Sequence, residues 1–303
     1  MPHGLKWSRR RGNCKLAKGV KATVAAEKYL KILAFAILSS WSLPSWAEFC
    51  SLDWVCVRPV DHDDGSADFL AENLRDFPVT ISLRVRARNL RAQGANPITV
   101  TVPAKETVVL ARMNRRREDR RTWYRYNFDW AVGSDNAVHD DSYIYRLPYG
   151  TGKRYGVLQG YGSRFSHTGL ERYTVDFNMP VGTPVHAARG GVVARVVEEH
   201  DKGCWDDGCG EYANFMVVLH DDGTTGEYYH LKNGGALAAE GDRIEQGQLI
   251  ALSGNTGHTT MPHLHFGVYR AASWGATESI PVRFRSSSGI VATPRRGRGY
   301  TAN

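Results

Sequence analysis

Apolar and polar residues alternate with a period of two along much of the chain, first clearly in "VTISLRVRARNL" from Val79. Val79, Ile81, Leu83 and Val85 share one side of an extended segment, and Thr80, Ser82, Arg84 and Arg86 share the other. Successive side chains of a strand point to opposite faces, so the spacing predicts a half-buried strand with one face packed and one face wet. "PITVTVP", "ETVVLA" and the aromatic "WYRYNFDWAVG" predict three more, with Pro, Gly and Asn between them. Short strands at this spacing predict a small β-sandwich domain over about residues 48–135. The run "RRREDRR" at 115–121 is expected to be a solvated hairpin tip, a surface for an acidic polymer being the lesser reading.

A stretch rich in turn residues, "GSDNAVHDDSYIYRLPYGTGKRYG", predicts a linker over residues 136–156. Strand patterns resume from Val157 to about residue 285 in "PVHAA", "GVVARVVEE", "NFMVVLH", "TGEYYHL", "GQLIALS" and "LHFGVYR". Glycines at the intervening turns supply positive φ where the chain must reverse. No ten-residue amphipathic helical pattern interrupts them, so the expected fold class is all-β. The end, "SSSGIVATPRRGRGYTAN" (286–303), is small and basic and is expected to be a loose tail.

Charge changes the picture only in one place. The chain of 303 residues carries a net +8, yet residues 1–47 hold nine basic residues and a single acid, a surplus that accounts for all of it. The remainder is neutral, which removes the main support for a nucleic-acid partner. Within 1–47, Lys28 and Lys31 lead into the apolar "ILAFAILSSWSL", and Ser45 and Ala47 precede Glu48. This predicts a signal peptide with a long basic n-region, an uncleaved anchor being the competing reading. The mature protein is then exported to the periplasm or cell envelope, or secreted, with no membrane segment of its own. Cys14 leaves with the signal, and Cys50, Cys56, Cys204 and Cys209 remain. Four thiols allow three pairings; the two local pairs are the simplest.

The chemistry concentrates in "MPHLHFGVYR" (261–270). His263 and His265 are two apart in a strand and project to the same side, with Leu264 opposite. A metal or a proton-transfer pair accounts for that arrangement. "HTGLERYTVDF" offers His167 and Asp176, the latter a carboxylate between Val175 and Phe177 that is costly to bury without a cation or hydrogen bonds. "EYYHL" offers His230. A His/Asp/His set with one open position is the pattern of a catalytic zinc site, and imidazole with carboxylate suits Zn²⁺ better than Ca²⁺ or Cu⁺. No HExxH, G-x-S-x-G or Ser/Lys motif competes.

These segments resemble the lysostaphin/LytM family of zinc metallopeptidases, which cut the peptide part of bacterial peptidoglycan. "SHTG", "TVDFNMPVGTPVHAARGGVV", "YYHL", "GDRIEQGQLIALSGNTG" and "MPHLHFGVYR" match in order over about residues 163–270. The resemblance implies an antiparallel β-sheet peptidase domain over 157–285, with the site in a groove floored by strands and walled by loops. It implies His167, Asp176 and His265 as Zn²⁺ ligands and His230 and His263 as catalytic histidines, either of which takes the proton from water. It implies peptidoglycan stem peptides or cross-bridges as the partner. In the best-known members three residues separate the first ligand pair; here eight do, "TGLERYTV". A non-catalytic wall-binding or amidase-activating module is the alternative, against which the complete residue set speaks. His258 is expected to be a solvated loop residue, and His186, His200 and His220 structural or surface groups. The loop "HDKGCWDDGCGEYAN", carrying Trp205, is either a groove wall or a tolerated insertion.

Overall fold

The computed structural model describes residues 50–303, so the expected signal peptide (1–47) and Cys14 lie outside the described residues. The first strands are β1 (Cys50–Ser51), β2 (Val55–Asp61), β3 (Ala67–Asn73), β4 (Val79–Arg88), β5 (Leu90–Ala92), β6 (Ile98–Val102), β7 (Thr107–Arg115) and β8 (Trp123–Val132). Next come β9 (Ile144–Arg146), β10 (Arg154–Gln159), β11 (Val175–Phe177), β12 (Pro184–His186), β13 (Gly191–Val197), β14 (Gly203–Cys204), β15 (Phe215–Leu219) and β16 (Thr225–Tyr229). The last are β17 (Leu231–Ala236), β18 (Arg243–Ile244), β19 (Leu249–Ser253), β20 (Gly257–His258), β21 (Leu264–Ala271), β22 (Thr277–Ser279), β23 (Arg283–Ser286), β24 (Gly289–Val291) and β25 (Gly299–Thr301). Among the described residues helical structure is confined to short 3₁₀ turns, so the all-β class holds.

The N-terminal strands form two small antiparallel sheets, β1-β2-β3-β7-β5 and β6-β4-β8. Val55, Val57, Phe69 and Ala71 of one meet Val79, Ile81, Leu83 and Val85 of the other in a shared core, as the alternation from Val79 predicts. The second face of β4 is not wet along its whole length. Thr80 and Ser82 are buried, paired to Thr101 and Thr99, and the Trp274 backbone N–H donates to Ser82 Oγ. A 3₁₀ turn, Ser273–Gly275, lies on this face, with the Arg84 guanidinium over the Trp274 ring.

The C-terminal half is built on a nine-stranded sheet whose main path runs β18-β13-β15-β16-β21-β11-β10-β25, with β22 beside β21. Its strands pair antiparallel, placing Asp176 opposite His265 and His265 opposite Tyr229. One face carries Phe177, Met216, Val218, Tyr228, Leu264, Phe266 and Val268 into a core completed by Tyr145, Val185, Ile250 and Phe284. The opposite face is divided. Phe215, Val217, Leu219 and Tyr229 join the N-terminal core around Trp54 and Trp130, while Asp176 and His265 stay beyond its edge. The two halves therefore share a continuous apolar contact, with the Arg195 guanidinium over Trp54, Trp130 and Phe215.

Two segments differ from expectation. The stretch 136–156 is no mere linker, because Tyr145, Leu147 and Tyr149, at alternate positions, are fully buried in the C-terminal core. The tail 286–303 is not loose: β25 pairs with β10, and Ala302 enters the same core. A row of backbone partners compensates there for a composition that carries little apolar surface. Both local disulfides are formed, Cys50–Cys56 and Cys204–Cys209.

Glu227 is buried at the contact between the halves, beside a cavity of about 10 Å³ lined by Trp130, Val132, Val217 and Thr277, roughly room for one water. Burial pushes its carboxyl from 4.5 up to about 7, although hydroxyls of Tyr229 and Thr225 donate to it. The folded chain thus holds this proton more tightly than the unfolded chain. Its stabilising contribution is full below about pH 4.5 and is lost as pH rises through about 7, a change of about 3 kcal/mol. Thermal melts between pH 5 and 8 should show wild type losing several degrees and Glu227→Gln staying flat. An equal decline in both would exclude this carboxyl as the source.

Candidate metal centre

Antiparallel pairing of β11 with β21 brings Asp176 and His265 together: His265 Nδ1 lies 2.8 Å from Asp176 Oδ1. His167 arrives from the loop after β10, its Nε2 3.2 Å from the same oxygen. These three candidate ligand atoms all lie within 4.8 Å of one another. Each is left facing the others because the rest of its side chain is engaged elsewhere. His167 Nδ1–H donates to the Gly160 carbonyl at 3.2 Å. Gln159 Nε2 donates to Asp176 Oδ2 at 2.6 Å, leaving Oδ1 inward. His265 Nε2 turns to the Tyr269 hydroxyl at 3.3 Å.

The donor set fits a cation. His167 is 1% exposed, and its buried Nε2 makes no well-directed hydrogen bond, a costly state unless the atom ligates something. Burial opposes ionisation of Asp176, but His167 and His265 outweigh it and hold the carboxylate well below its ordinary range. Burial likewise works against a charged His265, yet Asp176 and Glu171 raise it to about 10. A place where carboxylates hold a proton this firmly on an imidazole is a place that favours positive charge. Two imidazoles and one carboxylate leave a tetrahedral ion one open position.

His263 and His230 stand beside this triad. His263 Nδ1 lies 2.8 Å from the Met261 carbonyl and His230 Nδ1 lies 2.7 Å from the Thr256 carbonyl. A carbonyl only accepts, so both rings carry the proton on Nδ1 and present bare Nε2 atoms. His263 Nε2 is 3.8 Å from Asp176 Oδ1, and the His230 and His263 ring centroids are 4.5 Å apart. Burial first, then neighbouring charge, sets these groups: His230 is held well below 6.5, and His263 is lowered too. His230 has φ 63°, a left-handed conformation that residues other than glycine seldom adopt, which swings its ring out of the β16 line toward His263.

The rim is aromatic. Trp205 stacks on His258, centroids 4.1 Å apart, and on Phe165 at 5.2 Å, while Trp205 and Phe165 remain exposed. The Cys204–Cys209 disulfide and the β14–β20 pairing hold Trp205 beside the loop that leads to His263. His258 is thus part of a stacked rim rather than a free loop residue, its Nε2 3.1 Å from the Trp205 carbonyl. His220 is buried away from the site against Thr224.

Residues 171–277 match peptidase family M23, a span containing Asp176, His230, His263 and His265 and beginning four residues after His167. This region is of the lysostaphin/LytM type. Similar proteins include the peptidoglycan DD-endopeptidase ShyA of Vibrio cholerae, 37% identical over 91 residues, covering 30% of this chain and 18% of that protein. Lysostaphin of Staphylococcus simulans is 31% identical over 173 residues, 55% of this chain and 32% of that one. The glycyl-glycine endopeptidase ALE-1 of Staphylococcus capitis is 36% identical over 139 residues, 45% and 35% of the two chains. The chain therefore spans between 18% and 35% of the length of these relatives. Around the site, sequence reasoning missed Gln159, Glu171 and Tyr269. Only Tyr269 left a signal, standing four residues after His265 and hence on the same strand face.

Proposed function

We propose that this protein is an exported zinc-dependent endopeptidase that hydrolyses peptide bonds in bacterial peptidoglycan. The observation that carries this reading is the convergence of His167 Nε2, Asp176 Oδ1 and His265 Nδ1 beside two bare Nε2 atoms. The names of ShyA and ALE-1, two peptide-cutting relatives, support the substrate class. Two disulfides fit an oxidising compartment and hence export.

In this proposal His167, Asp176 and His265 hold the ion, and Gln159 keeps the Asp176 carboxylate turned toward it. Bound Zn²⁺ supplies Lewis acidity, polarising a peptide carbonyl and acidifying water. His263 and His230, both neutral, divide two tasks: one accepts the proton of the attacking water through Nε2. The imidazolium so formed returns that proton from Nε2 to the leaving amine, and the other ring, bare at Nε2, donates to the developing oxyanion only in its protonated form. The Phe165–Trp205–His258 stack forms one wall of the groove and meets the substrate with apolar surface. Packing of the N-terminal sandwich over β13, β15 and β16 leaves the groove only the part of the sheet around β11 and β21.

The test is digestion of purified sacculi by residues 48–303, with mass spectrometry of what is released. Muropeptide fragments bearing new amino and carboxyl termini are expected, with release stopped by a chelator and restored by added Zn²⁺. Binding to sacculi without any cleavage would instead establish the non-catalytic wall-binding reading.

A further inference from the structure

Eight residues separate the first two candidate ligands, His167 and Asp176, and they are not idle. They form a 3₁₀ turn, Gly169–Glu171, anchored where the Glu171 N–H donates to the Thr168 carbonyl and Thr174 Oγ1 donates to the Glu171 carbonyl. Tyr173 N–H donates to Ser279 Oγ, tying the loop to β22. The turn delivers the Glu171 carboxylate to the underside of the site. There its Oε2 accepts the Tyr269 hydroxyl proton at 2.7 Å and lies 3.7 Å from His265 Nε2. Tyr269 is 1% exposed, and its oxygen is 3.3 Å from His265 Nε2.

Tyr269 reaches His265, four residues back on its own strand, only because of Gly267. A Cβ at that position would lie 2.6 Å from the tyrosine ring and 2.8 Å from the Thr174 methyl. The ring therefore occupies the volume where any other residue's side chain would begin. His265, Gly267 and Tyr269 share one face of β21, and a glycine between two polar residues is what the lean requires.

We propose that Glu171 and Tyr269 are positioning residues for His265, a carboxylate–tyrosine relay that fixes which imidazole nitrogen meets the ion. Glu171 accepts from Tyr269, so the tyrosine proton is committed and its oxygen is left to accept Nε2–H of His265. With a cation bound, Nδ1 then carries no proton and would face the ion; without one it donates to Asp176 Oδ1 at 2.8 Å. Metal-ligating histidines commonly donate their other N–H to such a partner, and losing it costs about 10- to 100-fold in metal affinity. The loop between His167 and Asp176 thus adds a carboxylate to the support of the site. This inference rests on the metal reading above.

The experiment is competition of Zn²⁺ between a chromophoric chelator and the metal-stripped protein, for wild type, Tyr269→Phe, Glu171→Ala and Gly267→Ala. Each variant should bind Zn²⁺ about 10- to 100-fold more weakly than wild type. Gly267→Ala removes no polar atom, so weaker binding there identifies displacement of the tyrosine ring as the cause. In metal-loaded wild type the His265 Nε2–H should be a slowly exchanging NMR resonance, and in Tyr269→Phe it should exchange rapidly. That signal separates a relay from a merely structural pair of buried polar groups. Wild-type affinity in all variants that keep the native circular dichroism spectrum would overturn the relay. A wild type that binds no Zn²⁺ at all would overturn the metal reading instead.

Discussion

Asp176→Ala is expected to abolish both metal binding and peptidase activity while leaving the chain folded. Asp176 Oδ1 is the atom nearest both His167 Nε2 and His265 Nδ1, at 3.2 Å and 2.8 Å, so its loss opens the centre of the proposed ligand set. The fold has little to lose. Asp176 is 3% exposed at the middle of a three-residue strand, flanked by buried Val175 and Phe177, which hold β11 in place. The ion's charge stabilisation is worth several kcal/mol, and each 1.4 kcal/mol is about tenfold in rate. Activity should thus fall on the order of 10³-fold or more. Elemental analysis of the purified variant, a thermal melt and sacculus digestion are sufficient. A metal-loaded, active Asp176→Ala protein would remove the site from consideration.

His263→Ala should separate chemistry from metal binding. Its Nε2 faces the site but lies outside the converging ligand atoms, and its Nδ1 is held by the Met261 carbonyl. Removing a positioned proton-transfer group costs about 10²- to 10⁴-fold. We therefore expect a drop of that size in kcat with full metal content and little change in KM. His230→Asn should behave alike, asparagine being chosen because it tolerates the φ of 63° better than alanine does. Comparing the two variants assigns the roles, since the pair is near enough to act as a unit and their effects should not add. Loss of metal from His263→Ala would make it a ligand and refute the division of labour.

Much of this was legible along the chain because the period of a strand is two. Alternation placed β4, β6, β7 and β8, and the same rule put His263 and His265 on one side. Asp176 betrayed itself as a carboxylate within an apolar strand. The misreadings have a common cause. Tyr145, Leu147 and Tyr149 lie in a turn-rich stretch, and Ala302 in a small, basic one, so local composition hid their burial in the C-terminal core. Thr80 and Ser82 looked like the wet face of a strand until the Ser273–Gly275 turn covered them.

The sequence by itself determined an all-β chain, the residue types of a candidate metal centre and the face on which two of its histidines lie. Those are consequences of backbone periodicity and side-chain chemistry, which neighbours in the chain already contain. Only the tertiary structure decided which atom of each ligand looks inward, since that depends on Gly160, Gln159 and Tyr269 arriving from other segments or along the strand. Packing alone also put the N-terminal sandwich on the face of the sheet that carries Asp176 and His265, and Glu171 beneath His265. Burial and hydrogen bonding between distant segments leave no periodic trace, because each partner's position is fixed by the whole fold rather than by the residues beside it.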